Sequence, residues 1–304
     1  MRKTLAALTA VFSLALACAL APPAAAASRN TVIVLPGAVS AEAIAAGEGS
    51  TFYAGDLFRG TIFKGDIKRG TAEPFISVPD GTMTVGMDLD ARHGLLFVAG
   101  GPGKAYVYST HTRALVASYD FGDATTSFIN GVILTPHGAW FTDSLQPKLY
   151  FVPDAFGIPG PARTLNLSGP AAGKPGTFAI NDIASTPSGD TLFVAPDGMG
   201  KLCTINPLTG ASSVVENVDI PNTDGLLFDH GQLWATQTFS NQISRFRLSA
   251  DLRSGTLEKV ITDPLFRVPL TSVKFGDRLA VVNSHLDTGY PPTNPTYEVL
   301  IVHA

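Results

Sequence analysis

The 304-residue sequence has little cysteine, few charged residues and no basic cluster. Cys18 and Cys203 are its two cysteines, and only Cys203 lies outside the apolar N-terminal segment, so a disulfide within the mature chain is excluded if that segment is removed. Charged residues make up 15% of the chain, and the formal net charge is −4. The lack of a basic patch argues against nucleic acid or an anionic membrane as a partner.

Long apolar runs are also missing, except at the N-terminus. Residues 1–27 begin with Arg2 and Lys3, continue with TLAALTAVFSLALACALA and end in small residues, an order typical of a secretory signal peptide. The Ala-Leu-Ala before Cys18 departs from the lipoprotein pattern, so no lipid anchor is expected. We therefore expect a secreted or periplasmic protein whose mature part, residues 28–304, is a single domain without a membrane span.

No segment has the length and period of an amphipathic helix. Instead, one pattern of apolar strands, separated by Gly, Pro, Asp and Asn, recurs six times. Two copies begin with INGVILTPHGAWFTD (129–143) and INDIASTPSGDTLFV (180–194). Six small antiparallel sheets predict an all-β fold, a six-bladed β-propeller. The last copy supplies only three strands, so residues 30–36 are predicted to complete the sixth blade by pairing with the strand at 297–302.

The first strand of every blade lines the central channel of a propeller, so the residues that open the six repeats are expected to meet at one channel mouth. We call this set the channel ring, and its members are Glu42, Gly86, Asn130, Asn181, Asp224 and Thr271. Such residues could simply hydrogen bond to turns and channel water. Two carboxylates and two amides from separate strands are also an oxygen-only ligand set, which suits a hard cation such as Ca²⁺.

The sequence of these positions resembles a known family. Glu42 is followed along the chain by Asn130-Gly131, Asn181-Asp182 and Asp224-Gly225, an order similar to that in the senescence marker protein (regucalcin), gluconolactonase and luciferin-regenerating enzyme family. The resemblance implies a six-bladed propeller with one divalent cation in the channel, Ca²⁺ or alternatively Zn²⁺ or Mn²⁺, and a lactonase activity. It places metal ligands at Glu42, Asn181 and Asp224. It also makes Asp224 the candidate general base and puts Asn130 beside the metal or the substrate as a second catalytic candidate.

Two departures from that family change the expected substrate. Sugar-lactone members carry an arginine two residues before the blade-three asparagine, where this sequence has Phe128, and AEAIA replaces GEGP around Glu42. An apolar ring cannot bind sugar hydroxyls as a guanidinium does. Phe128 and Asn130 are therefore expected to contact a lactone or ester that is more apolar than gluconolactone.

Further candidates lie on loops. His285 is the one histidine expected at the ring end of the channel, in the long loop VVNSHLDTGYPPTNP (281–295), a candidate lid. Asn283 and His285 are therefore candidate substrate-binding residues. The weaker candidates are Asp56, Asp143 and Gln237. The histidines at the opposite end, His93, His137 and His230, are expected to be solvated turn residues.

The favoured hypothesis is an exported, metal-dependent hydrolase that acts on a small-molecule lactone or ester as a monomer. One alternative is a non-catalytic, NHL-like propeller that binds a ligand or a protein. Another is a strictosidine-synthase-like condensing enzyme, which relies on a glutamate in its pocket. Bound metal would separate the first hypothesis from the other two.

Overall fold

The computed structural model describes residues 31–79, 81–174 and 176–304. The predicted signal peptide, with Cys18, lies outside the described residues. Within them, helical structure is limited to three short 3₁₀ turns at Gly169–Ala172, Thr238–Ser240 and Leu286–Thr288. The described part of the chain contains no helix with the length and hydropathy that a membrane span needs.

The strands form six antiparallel sheets, as predicted, and the first three blades follow one another along the chain. The chain starts with β1 (Thr31–Leu35), which belongs to the last blade. Blade 1 contains β2 (Ile44–Ala46), β3 (Thr51–Gly55), β4 (Ile62–Asp66) and β5 (Thr71–Ile76). Blade 2 contains β6 (Gly86–Asp90), β7 (Leu95–Ala99), β9 (Lys104–Ser109) and β10 (Leu115–Asp120), while the intervening β8 (Gly101–Pro102) pairs with blade 3. Blade 3 contains β11 (Phe128–Thr135), β12 (Gly138–Asp143), β13 (Lys148–Ala155), the short β14 (Ile158–Pro159) and β15 (Arg163–Asn166).

The remaining three blades close the propeller. Blade 4 contains β16 (Ile180–Ser185), β17 (Leu192–Pro196), β18 (Lys201–Ile205) and β19 (Ser212–Asp219). Blade 5 contains β20 (Thr223–Asp229), β21 (Gln232–Gln237), β22 (Gln242–Leu248) and β23 (Gly255–Thr262). Blade 6 contains β24 (Pro269–Phe275), β25 (Arg278–Asn283) and β26 (Tyr297–His303), and β1 adds its fourth strand. Thr31 lies opposite Ile301 and Leu35 opposite Tyr297, which confirms the predicted closure.

The core is divided among the gaps between blades. Each of the six gaps contains a hydrophobic cluster built from the described residues of the two blades that face it. Successive side chains of a strand point to opposite faces of its sheet. On β7, for example, Leu96 and Val98 pack towards blade 1, whereas Phe97 and Ala99 pack towards blade 3. This alternation explains why the inner strands are apolar on both sides.

Strand direction defines the two ends of the channel. The first strand of each blade begins at one end, which we call the ring face, and runs to the other end, the far face. Because neighbouring strands are antiparallel, the loops between second and third strands lie at the ring face. The turns between first and second strands lie at the far face. The long segment between β25 and β26 therefore reaches the ring face, as predicted.

Candidate metal and substrate site in the channel

The polar members of the channel ring begin the inner strands at the ring face. Asn130, Asn181 and Asp224 lie within the first three residues of β11, β16 and β20. Glu42 lies just before β2. Glu42 and Asn130 are buried, and Asn181 and Asp224 are half-buried. Gly86 adds no side chain to the ring.

Two of these residues are followed by glycines, Gly131 and Gly225, and a steric reason requires glycine at both positions. A Cβ atom on Gly131 would lie 2.8 Å from the Cα of Asp182, and one on Gly225 would lie 2.8 Å from the Cα of Thr271. Neighbouring inner strands thus approach each other too closely for a side chain at either position. The Asn-Gly and Asp-Gly pairs of the sequence therefore mark places where the strands converge on the channel.

Hydrogen bonds connect members of the ring across blades. The Nδ2 of Asn130 donates to the Oδ1 of Asn181 at 3.4 Å, a long bond between blades 3 and 4. Thr271 donates its hydroxyl to the main-chain oxygen of Glu42, which joins blade 6 to blade 1. A carbonyl oxygen has two lone pairs, so the Oδ1 of Asn181 can accept this bond and still bind a cation.

Burial and mutual repulsion disfavour the charged forms of the channel carboxylates. Burial, followed by the charges of Asp224 and Asp182, raises the pKa of Glu42 well above its usual value. Burial, followed by the charges of Asp182 and Asp197, raises the pKa of Asp224 to about 7. Like charges in a low-dielectric site repel strongly.

Glu42 and Asp224 lack partners that would stabilise their charges. Neither side chain accepts a hydrogen bond from, or forms an ion pair with, any of the residues that the structure describes. A buried charge is normally paired, hydrogen bonded or bound to a metal ion. This donor set, with the amides of Asn130 and Asn181 beside it, therefore fits an oxygen-preferring divalent cation.

Two further carboxylates lie in the channel, and neither was predicted from the sequence. Asp88 and Asp182 help to line a cavity of about 420 Å³ at the far side of the ring. Burial is the main cause that raises the pKa of Asp182 to about 7 and that of Asp88 to about 6. Unlike the ring carboxylates, each accepts a main-chain hydrogen bond from the next blade. Asp88 accepts from Leu134 in blade 3 at 2.8 Å, and Asp182 accepts from Leu226 in blade 5 at 2.9 Å. These two residues connect blades.

Aromatic side chains stand at the ring face. Phe128 is half-buried at the start of β11 and contacts Phe178, with ring centroids 6.0 Å apart. On another side, Phe58 and Tyr290 form an edge-to-face pair at 5.2 Å. Burial, and then the charge of Glu42, raises the pKa of Tyr290, so its phenol lies within electrostatic reach of the ring. Tyr290 is a site candidate that sequence reasoning missed.

Asn283 and His285 both contact Glu298. The Nδ2 of Asn283 donates to the Oε1 of Glu298 at 2.8 Å, and the Nε2 of His285 lies 2.9 Å from the same oxygen. All three side chains are buried. Asn283 and His285, the two predicted substrate-binding residues, anchor the 281–295 loop to β26, because their polar atoms bind Glu298.

The weaker candidates also have structural partners. Asp56 accepts hydrogen bonds from Ser40 and from the main chain of Val39, Phe58 and Arg59. Asp143 accepts them from Tyr150 and from the main chain of Phe128 and Leu145. Gln237 bonds to Pro221, Gln242 and Ser244. These side chains hold ring-face loops in place.

The far face contains a group that could bind a metal, and here one expectation was wrong. His93 is not simply solvated, because its Nδ1 lies 2.5 Å from the Oδ2 of Asp90. One potential ligand atom from each of Asp90, His93 and Asp154 lies within 4.8 Å of the others. Among the Asp, Glu, His and Cys side chains that the structure describes, this is the one group of three that meets that spacing. The channel ring does not form such a group, because a set of three or more ligands there has to include the amide oxygens of Asn130 or Asn181.

The fold and the channel define this protein as a six-bladed β-propeller with an acidic channel. No protein-family model matches the sequence, and no curated protein matches it. Solved structures with a similar fold include luciferin-regenerating enzyme, which has 14% identity and a TM-score of 0.64 over 88% of this chain and 92% of that one. They also include streptogramin B lyase, which has 14% identity and a TM-score of 0.59 over 84% and 79%. A chain of a mitotic checkpoint complex has 10% identity and a TM-score of 0.61 over 97% and 99%. At such identities the similarity shows the fold alone.

Proposed function

We propose that this protein is a divalent-metal-dependent hydrolase of an apolar lactone or ester, with Ca²⁺ as the cation. One observation carries the proposal: Glu42, which is buried, and Asp224, which is half-buried, have no cationic or hydrogen-bonding partner among the described residues. Glu42, Asn181 and Asp224 would hold the cation. The similarity in fold to luciferin-regenerating enzyme and streptogramin B lyase is compatible with an enzyme.

Bound Ca²⁺ would supply Lewis-acid polarisation of the substrate carbonyl. Asp224 would accept the proton of the attacking water and return it to the leaving oxygen, as the carbon–oxygen bond of the ester breaks. Without a metal, burial and the neighbouring carboxylates raise the pKa of Asp224 to about 7. A bound cation would lower that pKa, so Asp224 would be ionised and able to accept a proton. Asn130 orients the amide of Asn181 through their hydrogen bond.

The ring-face loops favour an apolar substrate. Phe128 and Phe178 form one aromatic wall, and Phe58 and Tyr290 form another. Met199 and Phe239 add exposed apolar surface on loops at the same face. Aromatic walls of this kind bind the apolar body of a ligand. The anchored 281–295 loop, with Asn283 and His285 on Glu298, would shape the pocket. We further propose that the enzyme acts outside the cytoplasm, as a monomer.

The test is a hydrolysis assay on chelator-treated protein with Ca²⁺, Zn²⁺ or Mn²⁺ added back. The substrates are lactones of increasing alkyl length and aryl esters. We expect turnover that depends on Ca²⁺ and is reduced about 10²–10⁴-fold in Asp224→Asn, because an amide can bind the cation but cannot accept a proton. Asp190→Asn changes an exposed carboxylate at the far face and should have no effect.

Three outcomes would contradict the proposal. Full activity in Asp224→Asn would show that Asp224 is not the general base. Absence of hydrolysis in Ca²⁺-loaded protein across the whole panel would instead favour a non-catalytic binding propeller, and a condensing activity without metal would favour the strictosidine-synthase-like alternative.

A further inference from the structure

The far-face group of Asp90, His93 and Asp154 joins two blades at a distance from the channel ring. Asp90 ends β6 and His93 lies in the turn that follows, so both belong to blade 2. Asp154 lies near the end of β13 in blade 3. We call these three residues the far-face cluster.

The geometry holds the blade 2 members in place. The Oδ1 of Asp90 accepts hydrogen bonds from the main chain of Arg92 at 3.0 Å and of His93 at 3.3 Å. Its Oδ2 is thereby turned to the Nδ1 of His93. A Cβ atom on Gly157 would lie 2.6 Å from the Cγ of His93, so the main chain of blade 3 packs directly on the imidazole.

Asp154 carries the observation that points to a ligand. Its Oδ1 is buried and has no hydrogen-bond partner among the described residues. Buried polar atoms are nearly always hydrogen bonded, and an exception needs an explanation. No lysine or arginine of the described residues forms an ion pair with Asp90 or Asp154.

We propose that the far-face cluster is a second metal site, which binds Zn²⁺ and clamps blade 2 to blade 3. One imidazole nitrogen and two carboxylate oxygens suit Zn²⁺ better than Ca²⁺, which prefers six to eight oxygens. Zinc bonds of about 2.0–2.2 Å require ligand atoms about 3.3 Å apart, so spacings within 4.8 Å need small side-chain adjustments. All three residues line a cavity of about 350 Å³, from which water could complete the coordination.

The test is calorimetric titration of Zn²⁺ into the chelator-treated full chain, in excess Ca²⁺ so that the channel ring does not compete. Wild type should bind one Zn²⁺, and Asp154→Asn and His93→Gln should bind it about 100-fold more weakly or not at all. His137→Ala is the matched control, because His137 is an exposed far-face histidine outside the cluster. It should bind Zn²⁺ like wild type.

Two additional readouts separate binding from misfolding. Zn²⁺ should raise the midpoint of thermal unfolding in wild type and in His137→Ala but not in His93→Gln. Glu42→Gln should retain the Zn²⁺ site, which makes failure of this proposal distinguishable from failure of the channel proposal. No Zn²⁺ binding to wild type, or equal affinity in wild type, Asp154→Asn and His93→Gln, would overturn it.

Discussion

Buried carboxylates in this protein differ in what surrounds them. Asp56 and Asp143 each accept three or more hydrogen bonds and so have a structural reason to be buried. Glu42 and Asp224 have no such partners among the described residues. Burial of a charge without compensation is costly, so these two side chains are the ones whose charged forms a bound cation would stabilise most.

Phe128 is the residue that we expect to set substrate preference. The phenyl group of Phe128 lies beside Phe178 at the ring face. An arginine side chain at this position would instead hydrogen bond to the hydroxyl groups of a sugar substrate. Phe128→Arg should therefore shift the ratio of kcat/KM for sugar lactones over alkyl lactones by about 10–200-fold. Steady-state kinetics on both substrate classes would measure the shift.

The control for this change is Phe156→Arg, at an exposed turn of the far face. It introduces the same charge away from the site and should leave the substrate profile unchanged. An unchanged profile in Phe128→Arg as well would contradict the assignment of Phe128 to the substrate pocket.

At the scale of elements, β1 closes the propeller by covering the edge of β26. Its side chains alternate, with Ile33 and Leu35 buried in the gap between blades 6 and 1 and Val32 and Val34 exposed. Without β1, the main chain of β26 would present an unpaired edge, which is a common site of aggregation.

This alternation gives a matched pair of variants on one strand. Ile33→Ala should lower the free energy of unfolding by about 2–5 kcal/mol, because it removes a fully buried side chain. Val34→Ala should change it by less than about 0.5 kcal/mol, because Val34 is 48% exposed. Chemical denaturation would measure both, and similar effects of the two changes would contradict the register of β1 on β26.

The six blades, the closure by β1 and the ring-face position of the channel residues could be predicted, because they follow from a repeated strand pattern. The position of Asp88 and Asp182 in the channel could not be predicted, because the direction of a side chain depends on the strand register within each blade. The partnership of Asn283 and His285 with Glu298 depends on a loop conformation that the sequence pattern does not specify. His93 resembled the histidines of equivalent turns, and its proximity to Asp154 depends on how the neighbouring blade packs.

For the whole molecule, the raised pKa values of the channel carboxylates predict that the proposed metal binding depends on pH. In the metal-free protein the pKa of Asp224 is raised from 3.8 to about 7. The native state thus binds protons more tightly than the unfolded state, and stability falls as pH rises from about 4 to about 7. A cation has to displace that proton. Because the pKa of Glu42 is raised as well, Ca²⁺ affinity should fall as pH falls through about 7, and by more than tenfold per pH unit where both carboxyl groups bind protons.

The most direct measurement is calorimetric titration of Ca²⁺ into the chelator-treated full chain at pH 8 and pH 5.5. The channel ring predicts one Ca²⁺ per chain at pH 8, weaker binding at pH 5.5, and affinity reduced at least about 100-fold in Glu42→Gln. Glu216→Gln, which alters an exposed side chain, should bind Ca²⁺ like wild type. The absence of Ca²⁺ binding at pH 8, or equal affinity in wild type and Glu42→Gln, would contradict a cation site in the channel.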